Sequence, residues 1–157
     1  MTRYETLQEE VRSQAITLRE AEDLPRVCRG LYVRYTGRRP MIVLNRRMTA
    51  AEKRCVCAEE LGHHHTSGGD LTNACPIEYG RQERRARKWS VHHILSLDTL
   101  AEAYLRHDDP FELADALDVT VEYLNQAIQY YRDAYGVFLR TDRYLIQFLP
   151  CFSVREA

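Results

Sequence analysis

The segment Glu59-Glu60-Leu61-Gly62-His63 combines residue types and a spacing that suit metal chemistry. On a helix, Glu59 and His63 stand one turn apart, so their side chains project side by side and can share one metal ion. Glu60 is rotated by about 100° from Glu59, toward a neighbouring position. The same layout occurs in the H-E-x-x-H motif, where the intervening glutamate takes a proton from water at the metal. The pentapeptide therefore predicts a metal site with Glu60 as general base.

The pentapeptide also has an ordinary structural explanation. Paired glutamates are common on solvated helix faces, and a histidine near a helix C-terminus interacts favourably with the helix dipole. Two further residues favour the metal site: Gly62 lets another backbone or a substrate approach closely, and Glu83 supplies a third oxygen ligand from a second helix. His64 leaves a second assignment open, because Glu60 and His64 are also one turn apart and could be the metal pair instead.

A longer pattern surrounds this segment. The residues Cys57-Ala-Glu-Glu-Leu-Gly-His-His-His-Thr-Ser67, followed by Gln82-Glu-Arg-Arg-Ala-Arg-Lys-Trp89, resemble the ImmA/IrrE metallo-endopeptidases, especially those of phages and integrative elements. The resemblance extends over roughly residues 30 to 150. It implies a helix motif that supplies two ligands and the general base, and a glutamate three residues before an alanine that supplies the third ligand. The corresponding residues are the ligands Glu59, His63 and Glu83, the base Glu60 and the marker Ala86.

The same resemblance implies a function. The protein would be a zinc-dependent endopeptidase of zincin-like fold that cleaves a helix-turn-helix repressor of a phage or mobile element. Zinc peptidases of this kind align an extended substrate against an edge strand beside the metal. The predicted strand is Met41 to Leu44.

Glu59 stands where the motif has its first histidine. Two carboxylates and one neutral imidazole cancel the charge of zinc, which leaves less charge to acidify bound water than two histidines and one glutamate would. The ligand set is also harder, so Mn²⁺ becomes an alternative to Zn²⁺. Weaker or more selective activity is expected. The alternative function is a catalytically weak or inactive antirepressor that binds a repressor without cleaving it.

The elements that must position these residues indicate an α+β, mainly α fold. A capping box at Thr49 and Glu52 predicts that the motif helix begins at Ala50. Apolar spacing predicts an N-terminal helix from Tyr4 to about Leu24. The remaining predicted elements are a hairpin of Leu31–Tyr35 and Met41–Leu44, helices at 81–95, 98–106, 111–117 and 121–135, and an extended segment at 144–148.

The length of 157 residues suits a single metallopeptidase-like domain. Within it, the predicted parts are an N-terminal helix at 1–24, the hairpin and metal-site helices at 30–95, and a helical C-terminal region at 98–157. An odd number of cysteines, five, argues for reduced thiols, with Cys55 and Cys57 as core residues and Cys75 as a loop thiol that could reach the metal.

Composition disfavours several classes of partner. The net charge of −1 gives no electrostatic reason to expect nucleic acid, and the helix-turn-helix-like segment 112–135 has Glu122 but no Arg or Lys before Arg132. No stretch is apolar enough to cross a membrane, and the charged N-terminus is unlike a signal peptide, so a cytoplasmic location is expected. The basic run Arg81, Arg84, Arg85, Arg87 and Lys88 is typical of a solvated helix face.

Overall fold

The structure is a computed structural model that describes residues 1–67 and 76–157. These residues form two compact units, Met1–His93 and Ile94–Ala157, and each is described by itself. The expectation of a single domain stays a prediction. Within the described ranges, no helix is both long enough and apolar enough to span a bilayer.

The chain begins with a short helix and a strand, where one long helix was predicted. Helix α1, Arg3–Ser13, starts with a capping box at Thr2 and buries Leu7 and Val11. Ala15 then adopts a left-handed backbone with φ of 58°, and strand β1, Thr17–Ala21, follows. The predicted helix is therefore wrong beyond Ser13, because pairing with a distant strand outweighs the helical spacing of the apolar residues.

The predicted hairpin is confirmed. Strands β2, Gly30–Val33, and β3, Met41–Asn45, pair antiparallel, and β1 pairs parallel with β3 on its other side. The strand order is therefore β1-β3-β2. Because β3 has a neighbour on both sides, the assignment of Met41 to Leu44 as the substrate-binding edge strand is wrong. Among residues 1–67 and 76–157, the hairpin strand that lies at an edge of the sheet is β2.

The motif helix is α2, Ala50–Thr66, and it begins where the capping box predicts, with Thr49 as N-cap. It packs on α1, β2 and β3, and buries Cys55 and Cys57, as expected of core residues. Helix α3 spans Pro76–Ile94 and so begins before the predicted Arg81. Proline suits this first helical position, because its missing N–H has no helical partner there.

The second unit combines helices with a small sheet. Each predicted helix is present and is started by an N-cap side chain: Ser96 for α4, Leu97–Tyr104; Asp109 for α5, Pro110–Ala116; and Thr120 for α6, Val121–Tyr135. The predicted extended segment forms β5, Tyr144–Gln147, which is the centre of an antiparallel sheet with β4, Phe138–Arg140, and β6, Ser153–Glu156. The two outer strands were not predicted, because each is too short to give a clear alternating pattern.

Helices α2 and α3 come close to each other at Gly62. A Cβ added there would lie 2.4 Å from the carbonyl oxygen of Ala86. Gly80, on α3, is a matched contrast, because a Cβ there would meet only Arg84 Nη1, at 3.9 Å. The two helical glycines therefore differ in the space around them.

We expect Gly62→Ala and Gly80→Ala to change stability in opposite directions. Overpacking against backbone should lower the free energy of unfolding of Gly62→Ala by about 1–3 kcal/mol. The usual helix preference for alanine should raise that of Gly80→Ala by about 0.5–1 kcal/mol. Urea unfolding followed by circular dichroism measures both. A Gly62→Ala variant as stable as the wild type would contradict the close contact.

Candidate metal centre

Helices α2 and α3 carry the predicted ligands and are the two ligand helices. They bring His63 and Glu83 into contact. His63 Nε2 lies 3.1 Å from Glu83 Oε1, and the His63 side chain is only 12% exposed. This hydrogen bond raises the pKa of His63 and lowers the pKa of Glu83. Two side chains predicted to act together from separate segments are therefore in direct contact.

The same two residues have further partners. The other ring nitrogen of His63, Nδ1, lies 3.3 Å from Ser67 Oγ. Glu83 also forms a side-chain hydrogen bond with Tyr79, which helps to lower the pKa of the Glu83 carboxyl. Such outer contacts fix the orientation of a side chain that must present one particular atom to a metal. Sequence analysis missed Tyr79, although its position one turn before Glu83 on α3 could have indicated it.

Glu59 contacts a cation rather than His63. Its Oε1 lies 3.3 Å from Arg87 Nε, with the Glu59 and Arg87 side chains 25% and 45% exposed. Burial raises the pKa of Glu59, while the neighbouring Arg87 opposes that shift. Arg87 is exposed, as its assignment to a solvated basic face predicts, while its contact with Glu59 was not predicted.

Glu60 lies between α2 and the strand β2. A Cβ on Gly30 would be 3.2 Å from Glu60 Cγ and 3.3 Å from its Oε1, so the strand passes close to this carboxylate because Gly30 has no side chain. Burial raises the pKa of Glu60 to about 7, with additional repulsion from Glu83, and is opposed by His63 and by the backbone amide of Tyr32. A carboxylate with a pKa near neutrality is suited to exchanging protons at physiological pH.

His64, the alternative ligand, is placed beside β2. Its Nδ1 lies 2.8 Å from the hydroxyl of Tyr32, and its ring packs edge-on against Tyr32 and His65. His65 in turn stacks on Trp89. His64 is thus engaged by strand β2, whereas the neighbouring His63 contacts Glu83 on α3.

The aromatic contacts continue along α3. Trp89 stacks on both His65 and His93, with ring centroids 4.5 Å apart in each pair. His93 Nε2 lies 2.8 Å from Glu10 Oε2 on α1. This row therefore ties α1, α2 and α3 together beside the candidate site.

The donors present suit a divalent cation. Imidazole nitrogen and carboxylate oxygen are both zinc ligands, and a cation would offset the half-buried carboxylates of Glu59, Glu60 and Glu83. In residues 1–67 and 76–157, however, no group of three or more His, Cys, Asp or Glu side chains is already arranged for metal binding. Two donors, His63 and Glu83, face each other, and the third, Glu59, is held by Arg87. Cys75, the loop thiol considered from the sequence, lies outside the described residues.

Comparison with known proteins adds the family. Residues 15–129 match the peptidase family M78, described as the IrrE N-terminal-like domain. No curated protein and no solved structure matched the chain. The matched range covers most of the chain and includes both ligand helices.

The raised pKa of Glu60 should make the metal-free protein less stable as pH rises. The folded protein keeps the Glu60 proton up to about pH 7, whereas an unperturbed carboxyl loses it near 4.5, so the free energy of unfolding falls between these values. Glu60→Gln should remove this loss and be more stable than the wild type by about 2 kcal/mol at pH 8, with little difference at pH 4.

Urea unfolding at both pH values, in the presence of a chelator, measures this effect. Glu9→Gln is the matched control, because Glu9 is exposed on α1. A Glu60→Gln variant that shows the same stability difference at pH 4 and pH 8 would contradict the burial of an ionisable Glu60.

Proposed function

The chain belongs to the IrrE N-terminal-like family of peptidases, and from this premise we propose that it is a zinc-dependent endopeptidase with Glu59, His63 and Glu83 as metal ligands. The observation that carries the proposal is the 3.1 Å contact between His63 Nε2 and Glu83 Oε1, which joins the two helices at their ligand positions. Zinc bound there would polarise the scissile carbonyl and acidify a water molecule. Because the donor set is rich in oxygen, Mn²⁺ is the second candidate metal.

Glu60 is the proposed general base and acid. Its carboxylate, beside the proposed metal ligands, could take a proton from water and later return it to the amine of the leaving product. The backbone amide of Tyr32 hydrogen-bonds this carboxylate and so helps to hold it in place. His63 and Glu83 act by position, each held by a further hydrogen bond, to Ser67 and Tyr79 respectively.

The unpaired edge of β2 is the proposed binding site for the substrate backbone. In the described sheet β2 is an outer strand, and its Gly30 passes beside the Glu60 carboxylate. An extended peptide that added to this edge would place its backbone next to the general base. Support for β2 in place of Met41 to Leu44 comes from the central position of β3.

The proposed substrate is a helix-turn-helix repressor encoded by a phage or mobile element. Support for this substrate is the resemblance of residues 57–67 and 82–89 to the phage-type ImmA/IrrE peptidases. Such a substrate acts in the cytoplasm, where we expect this protein to meet it. Cleavage of the repressor would release the genes that it silences.

A second candidate function is an antirepressor that binds the same repressor without cutting it. It is favoured by one contact, the ion pair of Glu59 with Arg87, which engages one oxygen of the third ligand position. The two functions share a partner and differ in whether a peptide bond is broken.

Elemental analysis of the purified protein tests the metal site. The wild type should retain about one equivalent of zinc, and a double variant with His63→Ala and Glu83→Ala should lose it. The matched control is His107→Ala with Glu112→Ala, which removes another His–Glu pair, 3.8 Å apart, in the second unit. A wild type that takes up neither zinc nor manganese would refute the peptidase proposal and favour the antirepressor.

Co-expression with the repressor encoded nearest to the gene tests cleavage. We expect the wild type to convert the repressor into two fragments, and Glu60→Gln to bind it while leaving it intact, because binding does not need the general base. Gel electrophoresis and intact mass spectrometry identify the fragments. Binding without cleavage by the metal-loaded wild type would establish the antirepressor instead.

A further inference from the structure

The contacts between α2 and α3 form two successive pairs. His63 contacts Glu83, and one turn away on both helices Glu59 contacts Arg87. Gly62 lies against Ala86 between them. Residue numbers rise along one helix as they fall along the other, so the two helices run antiparallel here. Arg87 therefore faces the position at which the H-E-x-x-H motif has its first histidine.

The net charge of the zinc site gives a reason for an arginine at this position. With two histidines and one glutamate as ligands, a zinc ion leaves a net charge of about +1 on the site. Replacing the first histidine by Glu59 lowers this to about zero, and the Arg87 guanidinium returns it to about +1. The Glu59–Arg87 pair thus has the same charge as one neutral imidazole.

The geometry leaves Glu59 able to act as a ligand. Arg87 Nε contacts Oε1 of Glu59 at 3.3 Å, which is longer than an optimal charge-assisted hydrogen bond of about 2.8 Å. A carboxylate has two oxygens, so Glu59 could present Oε2 to a cation while Oε1 keeps this contact. Ligating carboxylates commonly carry such an outer hydrogen bond.

We propose that Arg87 acts through Glu59 by balancing its charge, so that the Glu59–Arg87 pair takes the place of the neutral first histidine of the motif. This inference rests on the proposed metal site. Other basic residues of α3 are not equivalent: Arg85 is two residues before Arg87, about 200° around the helix, and Arg81 Nη1 lies 3.9 Å from Glu78 Oε2. Arg87 is one helical turn beyond Glu83 and so lies on the ligand-bearing face.

The test is the zinc dissociation constant, measured by competition with a chelating indicator. Removing the guanidinium charge should strengthen cation binding, so Arg87→Gln is expected to bind zinc about tenfold more tightly than the wild type. Arg87→Lys keeps the charge and should stay within about twofold of the wild type. Arg85→Gln is the matched control and should also leave the affinity unchanged, since Arg85 projects from α3 about 200° away from Arg87.

A second pair of variants tests directly whether the Glu59–Arg87 pair takes the place of a histidine. Glu59→His alone leaves Arg87 as an uncompensated charge beside the cation, and should bind zinc about tenfold more weakly than the wild type. Adding Arg87→Gln to Glu59→His should restore binding near the wild-type level, because the site then has the ligands and charge of the full motif. Thermal unfolding of each metal-free variant checks that the fold is intact.

Failure of this inference can be told apart from failure of the metal site. If the wild type binds zinc through His63 and Glu83, but Arg87→Gln binds it no more tightly than Arg85→Gln, the role of Arg87 is refuted and the metal site stands. A Glu59→His variant that binds zinc as well as the wild type would also refute the role of Arg87 and leave the metal site standing. If neither the wild type nor Arg87→Gln binds zinc, both proposals fall.

Discussion

Helix α3 lies against α2 without an intervening side chain at Gly62, and the candidate site depends on this close approach. The Ala86 carbonyl oxygen occupies the space that a Cβ would need, at 2.4 Å. Side chains of ordinary length, such as those of His63 and Glu83, can reach across the contact only because the two backbones are this close. Gly62 thus supports function because it lets the two helices approach, which brings donors from both helices within hydrogen-bond range.

The buried carboxylates around this contact lower the stability of the fold. Glu60 is half-buried beside β2, and the energetic cost of its charge appears as a pKa raised to about 7. Burial also raises the pKa of Glu59. Active sites commonly gather groups whose ionised forms are poorly solvated, because the same environment gives those groups reactivity. The described part of the fold supplies partial compensation through the His63–Glu83 and Glu59–Arg87 pairs.

What the sequence could predict was mostly local. The capping box of Thr49 and Glu52 located the start of α2, and the turn residues between β2 and β3 indicated the hairpin. The family resemblance, rather than spacing, pointed to Glu83, whose place near His63 depends on the tertiary fold. Strand β1 was missed because its parallel pairing with β3 is non-local, and the same pairing makes β3 central and leaves β2 at the edge. The contact of Arg87 with Glu59 was missed for a similar reason, since its partner lies on the other helix.

The row of stacked rings gives the site an intrinsic optical reporter. Trp89 is the one tryptophan of the chain, and two imidazole rings stack on it with centroids at 4.5 Å. Indole emission depends on the groups that contact the ring, so the fluorescence of Trp89 reports on its contacts with His65 and His93. The His65 stack joins α2 to α3, which makes the emission sensitive to the separation of the two helices. A change in the contact between α2 and α3 can therefore be followed by fluorescence in the unlabelled protein, in solution and in real time.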